Sequence, residues 1–247
     1  MVKTIVLIHG YGFDSRIWLP VELAFDGFTV VYLALPGFGD TAPQEPYTIE
    51  SIANHYWSVL DTAGSGVVHL AGHSMGGYVC LEMAAQQPSR VASLALVHSH
   101  VFADSDEKKS QRSATIEDIK AHGRDALVRK MIPSLFADSK GYPEVINALI
   151  TRGLGYDDHT WLYGNQAIRD RKDHTETLRN LHIPVLMISG EKDAAVPVEW
   201  FYKQAPLAEN NQLIIYPETG HMAMYENTLR MICDLRSFYI HQQRSNL

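Results

Sequence analysis

Six short runs along the chain are nearly continuous in apolar and β-branched residues. They are Thr4–Ile8, Phe28–Leu33, Gly66–Ala71, Val91–His98, Pro184–Ser189 and Gln212–Tyr216. Strands that read this way, without polar alternation, are buried on both faces, as in a parallel sheet covered by helices. Between them the apolar period changes to that of a helix. Ile49–Ala63 follows Thr48 as N-cap. Ser74–Gln87 is rich in Ala, Met and Leu and halts before Pro88. Glu226–His241 closes the pattern with Leu229, Ile232, Leu235, Phe238 and Tyr239 spaced for one apolar face. Strand and helix in alternation predict a doubly wound, mostly parallel α/β sheet. Such sheets bind ligands outside the carboxyl ends of their strands.

One stretch breaks the alternation. From Asp104 to Arg179 no strand is expected, and four helices are: Asp106–His122, Asp125–Phe136, Tyr142–Arg152 and Asp158–Ile168. That is too long for a loop within a compact domain. It is expected to be a helical lid inserted after the fourth strand. The expected organisation is therefore a core in two parts, residues 1–103 and 180–247, with the lid at 104–179.

Composition narrows the functional classes. The 247 residues are 46% hydrophobic and carry a formal charge of −7, which describes a well-cored globular protein. A mildly acidic chain with no basic run lacks the clustered cations that nucleic-acid binding needs. No apolar segment reaches the length that spans a bilayer. The amino-terminal run ends at His9-Gly10 with no small-residue cleavage site, so it is expected to be a strand and not a signal peptide. Two cysteines, Cys80 and Cys233, are too few for a disulfide framework. A cytoplasmic setting follows as the expectation, with both thiols packed in apolar helices.

Gly72-His73-Ser74-Met75-Gly76 carries the chemistry. It is G-x-S-x-G directly after an expected strand and opening an expected helix, which is the context that gives this motif its meaning. The sharp turn projects the hydroxyl of Ser74 above the sheet edge, at the positive end of a helix. A serine hydroxyl is a weak nucleophile and needs a base oriented by an acid. Of twelve histidines, His221 stands after the last strand and before the last helix. Asp193, directly after the fifth strand, is the acid candidate, and Glu191 and Asp104 are its competitors. The order Ser74, Asp193, His221 is nucleophile, acid, base. The glycines of His9-Gly10-Tyr11-Gly12 let backbone approach a bound acyl group. The N–H groups of Tyr11 and Met75 are the expected oxyanion donors, each worth roughly 3–4 kcal/mol in the transition state. His9 is expected to brace that loop. No metal site is expected, since His9 and His73 have no further ligands at suitable spacing.

These segments, with Leu35-Pro36-Gly37-Phe38-Gly39, Gly76-Gly77, Gly190-Glu191-Lys192-Asp193 and Gly220-His221, resemble the α/β-hydrolase fold superfamily over essentially the whole chain. Ala121–Leu127 and Ile168–Asp173 resemble the small lidded esterases and lactonases of the 3-oxoadipate enol-lactone hydrolase type. The chain starts almost at the first motif strand, so the amino-terminal hairpin common in that group is expected to be missing. Six strands are expected, or seven if Arg16–Leu23 conceals one. The resemblance implies a cofactor-free hydrolase that takes water and a small-molecule ester or lactone. The same scaffold also supports carbon–carbon bond hydrolysis, lyase chemistry and cofactor-free oxygenation, for which His98, His100 and Lys192 lie near strand ends. A ligand receptor that merely retains the pocket is the non-enzymatic alternative. His100, Met131, Leu135, Trp161, Leu162, Ala195 and Met222 are the expected substrate contacts, and their apolar character suggests a small or medium neutral ester.

Overall fold

The computed structural model describes residues 2–244, with side chains through residue 241. β1 (Thr4–Ile8), β2 (Thr29–Leu33), β3 (Val68–His73), β4 (Val91–Val97), β5 (Val185–Gly190) and β6 (Asn211–Tyr216) form one sheet in the order β2-β1-β3-β4-β5-β6. All five neighbouring pairs are parallel. Every residue of β3 and β5 is buried, whereas the edge strands β2 and β6 keep exposed positions. This is why the inner runs are almost purely apolar. The chain leaves β1 toward one edge and β3 toward the other, so the strand order reverses between β1 and β3. Ligand crevices form at that switch point.

The helices follow the expected periods closely. α1 (Ile49–Thr62) is capped by Thr48, whose side chain accepts the N–H of Ser51 while the Ser51 side chain accepts the N–H of Thr48. α2 (Met75–Gln86) is buried on nearly every side, as a helix wedged between a sheet and other helices must be. Arg16–Leu23 conceals no strand, because Ser15–Phe25 is 3-10 helix with Pro20 inside it. Between β4 and β5 run α3 (Asp106–His122), α4 (Asp125–Ser134), α5 (Pro143–Leu154), α6 (Asp158–Arg169) and α7 (Thr175–Asn180). α3 packs on α6 and α4 on α5. α8 (Val198–Gln204) precedes β6, and α9 (Ala223–Glu226) and α10 (Thr228–Arg244) follow it.

Two expectations for the last helix need correction. Leu229 is 80% exposed and takes no part in the apolar face. The buried stripe is Met231, Leu235, Phe238 and Tyr239, with spacing i, i+4, i+7, i+8. Cys233 is exposed on the same helix, while Cys80 is buried in α2. Residue 233 lies two positions from 231 and 235, off their face. No described helix is long and apolar enough to cross a membrane.

Candidate active site

The turn after β3 is as tight as its sequence implies. Ser74 has φ 51° and ψ −118°, in the positive-φ region that non-glycine residues rarely enter. A Cβ on Gly72 would overlap the backbone of Gly76, and one on Gly76 would overlap the carbonyl of Ile8. The strain at Ser74 is held by neighbours that leave no alternative. Its N–H donates to the Val97 carbonyl at 2.9 Å, and its carbonyl accepts the Ser99 hydroxyl at 2.8 Å.

His221 and Asp193 reach the same place from two later strands. The His221 N–H donates to the Leu135 carbonyl at 2.7 Å, and Glu226 accepts the N–H groups of both flanking residues, Gly220 and Met222. Nδ1 of His221 lies 2.7 Å from Oδ2 of Asp193. The other Asp193 oxygen accepts the N–H groups of Ala195 and Val196, each at 2.9 Å. Burial alone would raise this carboxyl. Electrostatic attraction to His221 and the hydrogen bonds from His221 and His98 outweigh it, leaving Asp193 far below the usual carboxylate range. Neither competing acid contacts His221. Glu191 is exposed, and Asp104 pairs with Arg112 and Arg171.

Ser74 and His221 line one cavity of about 210 Å³. Tyr11, Phe13 and Tyr78 from the core share its wall with Met131, Leu135 and Ile168 from the helical insertion. Beyond the last paired rung of β1 and β3, Ile8 with Gly72, three further residues lead to Tyr11 on one strand and Met75 on the other. The two peptide groups expected to bind an oxyanion thus leave the same sheet edge. His9 ties this loop down. Its Nδ1 lies 2.8 Å from the Gly10 carbonyl, and its Nε2 accepts the Leu35 N–H at 2.9 Å. Nε2 must therefore be unprotonated, and burial brings the His9 pKa down to about 4.

Of the expected substrate contacts, Met131, Leu135 and Ala195 line the cavity, and four do not. Trp161 is fully buried behind Tyr11, with ring centroids 5.0 Å apart, and it accepts the Tyr11 hydroxyl at its carbonyl. A large ring in a polar stretch is explained here by core packing under the loop. Leu162, next to it on α6, is buried off the wall. His100 stacks on Trp200 at 5.5 Å, and burial brings its pKa down to about 3. Met222 is fully buried beside His221. Arg112 was not anticipated. It sits on the polar helix α3, where a cation reads as solvated surface, and only the packing of α3 on α6 turns it inward.

His98, noted from the sequence only as lying near a strand end, is the second residue that the structure brings to the site in an unexpected way. It follows β4, and its Nδ1 lies 2.8 Å from the same Oδ2 of Asp193 that His221 uses. His98, Asp193 and His221 are also the group among the described residues with metal-ligand spacing. Hydrogen bonds between imidazole Nδ1–H groups and a carboxylate account for each of these short contacts.

Comparison with known proteins gives the family to which this sheet and its helices belong. Residues 5–232 match the model of the "Alpha/beta hydrolase family". The chain belongs to this family. A pimeloyl-[acyl-carrier protein] methyl ester esterase of Pseudoalteromonas atlantica is 28% identical over 256 residues, covering 93% of this chain and 92% of the relative. The dihydrolipoyllysine-residue acetyltransferase component of the acetoin cleaving system of Pseudomonas putida is 31% identical over 236 residues. That match covers 90% of this chain and spans only 59% of the relative. Among solved structures, a thermophilic esterase of Thermogutta terrifontis superposes with TM-score 0.90 at 28% identity, covering 97% of this chain and 90% of that one. The enol-lactonase of Burkholderia xenovorans, at 22% identity, shares the fold with TM-score 0.88, covering 97% and 92%.

Proposed function

We propose that this member of the family is a serine hydrolase that cleaves a small carboxylic ester or lactone through an acyl-enzyme. The observation that carries the reading is the 2.7 Å contact of His221 Nδ1 with the buried Asp193, His221 lining the same cavity as Ser74. A carboxylate only accepts hydrogen bonds, so the His221 proton sits on Nδ1 and leaves Nε2 free as a base. In this reading Ser74 Oγ attacks the ester carbonyl and His221 takes its proton. The N–H groups of Tyr11 and Met75 stabilise the oxyanion. The tetrahedral intermediate collapses, and His221 returns the proton to the leaving alcohol. Water, deprotonated by His221, then attacks the acyl-enzyme and releases the acid and the serine. Helices α3–α6 act as the lid that limits substrate size. The two free thiols, Cys80 and Cys233, favour a reducing, cytoplasmic setting.

The neutral ester expected from apolar contacts gives way to one that bears an anionic group. Arg112 is the one side chain of fixed charge on the cavity wall among the described residues. It and Arg171 share a single carboxylate, Asp104, so one positive charge is left over. A substrate carboxylate remote from the ester would answer it.

Turnover of p-nitrophenyl acetate and butyrate tests the reaction. Ser74→Ala is expected to lower kcat by at least a thousandfold with the fold intact, and wild-type rates in that variant would end the reading. Hydrolysis of a dicarboxylate monoester against its neutral diester tests the anion preference. Arg112→Gln is expected to raise KM for the monoester about tenfold or more and leave the diester unchanged. Equal effects on both substrates would remove Arg112 from recognition.

A further inference from the structure

The carboxylate of Asp193 serves two histidines, and only one of them has a task in the reaction proposed above. His98 lies at the end of β4, where its N–H donates to the Ile188 carbonyl of β5 at 2.8 Å. Its φ of 50° is unusual for a side chain with a Cβ. This backbone turns the ring toward the loop after β5 and puts Nδ1 2.8 Å from Asp193 Oδ2. The ring is completely buried, and its Nε2 meets no hydrogen-bond partner. A strained backbone and an orphaned nitrogen are both unfavourable, yet neither feature is needed to fill space. The contact with the carboxylate is what they secure.

We propose that His98 is a positioning residue of the triad, a neutral Nδ1–H donor that fixes the Asp193 carboxylate and moderates its pull on His221. The proton assignment follows from the partners. An ionised carboxylate has no proton to give, so a 2.8 Å contact with Nδ1 requires Nδ1–H. Nε2 is then a bare lone pair, which is the protonation state that tolerates having no acceptor nearby. Asp193 thus receives two N–H bonds on Oδ1, from Ala195 and Val196, and two on Oδ2, from His98 and His221. Four fixed donors leave the carboxylate no rotation. They also divide the negative charge of Oδ2 between two imidazoles, so Asp193 attracts the His221 Nδ1–H less strongly than it would in a pair with His221 alone.

The other ionisable groups around the cluster do not supply this effect. The His73 ring lies 5.9 Å from that of His98 and 4.8 Å from that of His221. Its Nε2 is directed to the His221 carbonyl at 3.0 Å, not to Asp193. Burial holds both His73 and His98 below the usual histidine range, so neither brings a positive charge at neutral pH. Glu226 faces the loop from α9, but it accepts backbone N–H groups of Ala137, Gly220 and Met222.

The inference rests on the triad reading, and its test separates the two. His98→Asn places an amide N–H where the imidazole has Nδ1 and tolerates positive φ, whereas His98→Ala removes the donor. With p-nitrophenyl butyrate, His98→Ala is expected to lower kcat by about tenfold or more at nearly constant KM. The acid limb of its kcat/KM profile should move to higher pH by about half a unit to one unit. His98→Asn should restore both. A merely structural histidine would lower kcat without moving the limb, and that result, or an unmoved limb at wild-type kcat, would overturn the proposal. Nitrogen-15 spectra of the imidazoles in the wild-type protein read the tautomer without any turnover. The His98 signals, assigned by their loss in His98→Asn, are expected to show a protonated Nδ1 and an unprotonated Nε2. The opposite tautomer would refute the role of His98 alone. An absence of esterase activity in wild type would strike the triad reading and leave this spectral prediction standing.

Discussion

Replacing Asp193 by Asn changes one heavy atom and should disable the proposed base without unfolding the protein. The structure dictates which way the amide turns. The N–H groups of Ala195 and Val196 both point at one oxygen from 2.9 Å, and an NH2 group there would face two donors. The amide oxygen therefore stays with the backbone, and the NH2 turns toward His221 and His98. Each imidazole must then accept at Nδ1 and carry its proton on Nε2. His221 in that tautomer has no lone pair for the Ser74 proton. The expected loss in kcat is about ten-thousandfold, the size typical of a wrong histidine tautomer. That corresponds to about 5.5 kcal/mol of barrier. The fold should lose far less. All four contacts survive as neutral hydrogen bonds, so stability should fall by only about 1–3 kcal/mol. Steady-state hydrolysis of p-nitrophenyl butyrate and urea unfolding measure the two quantities. If Asp193→Asn stays within tenfold of the wild-type kcat while folded, Asp193 does not orient the base and the acid must be sought elsewhere.

Stability should decline on mild acidification. His9 and His100 are buried and neutral, with pKa brought down to about 4 and about 3 from an ordinary value near 6.5. Their contribution is complete above pH 6.5 and is lost as pH falls toward the folded values, because the unfolded chain takes up the protons first. Each adds a slope of about 1.4 kcal/mol per pH unit in that window. Urea unfolding at pH 7.5, 6.0 and 5.0 checks the slope, and a flat dependence would contradict it. Gly76→Ala drives a methyl group into the Ile8 carbonyl, where backbone cannot yield. It should cost about 2 kcal/mol or more and lower the melting temperature by about 5 °C, measurable by scanning calorimetry. An unchanged transition would mean that the turn after β3 is looser than its geometry shows.

The sheet and the longer helices were legible as periods in the chain, whereas the short helices α7, α8 and α9 were not. Burial on both faces leaves an uninterrupted apolar run, as in Val91–Val97, and a helix between layers leaves one like Met75–Ala84. The turn was equally legible at Gly72 and Gly76, because only glycine fits against that backbone. Positions just beyond strand ends also brought Ser74, Asp193 and His221 to notice, since parallel strands deliver those ends to one edge. What lay across the sheet from them was not encoded locally. Trp161 looked like a substrate contact and is core, because its neighbour is Tyr11, 150 residues away. Arg112 looked like surface and lines the cavity, because α6 fixes how α3 lies. His98 could be placed near the site, but its hold on Asp193 depends on a positive φ and on a loop after another strand. Period and turn chemistry act over a few residues and leave a trace in the sequence. The direction in which a side chain meets a distant partner is decided by packing, and packing exists only once the chain has folded.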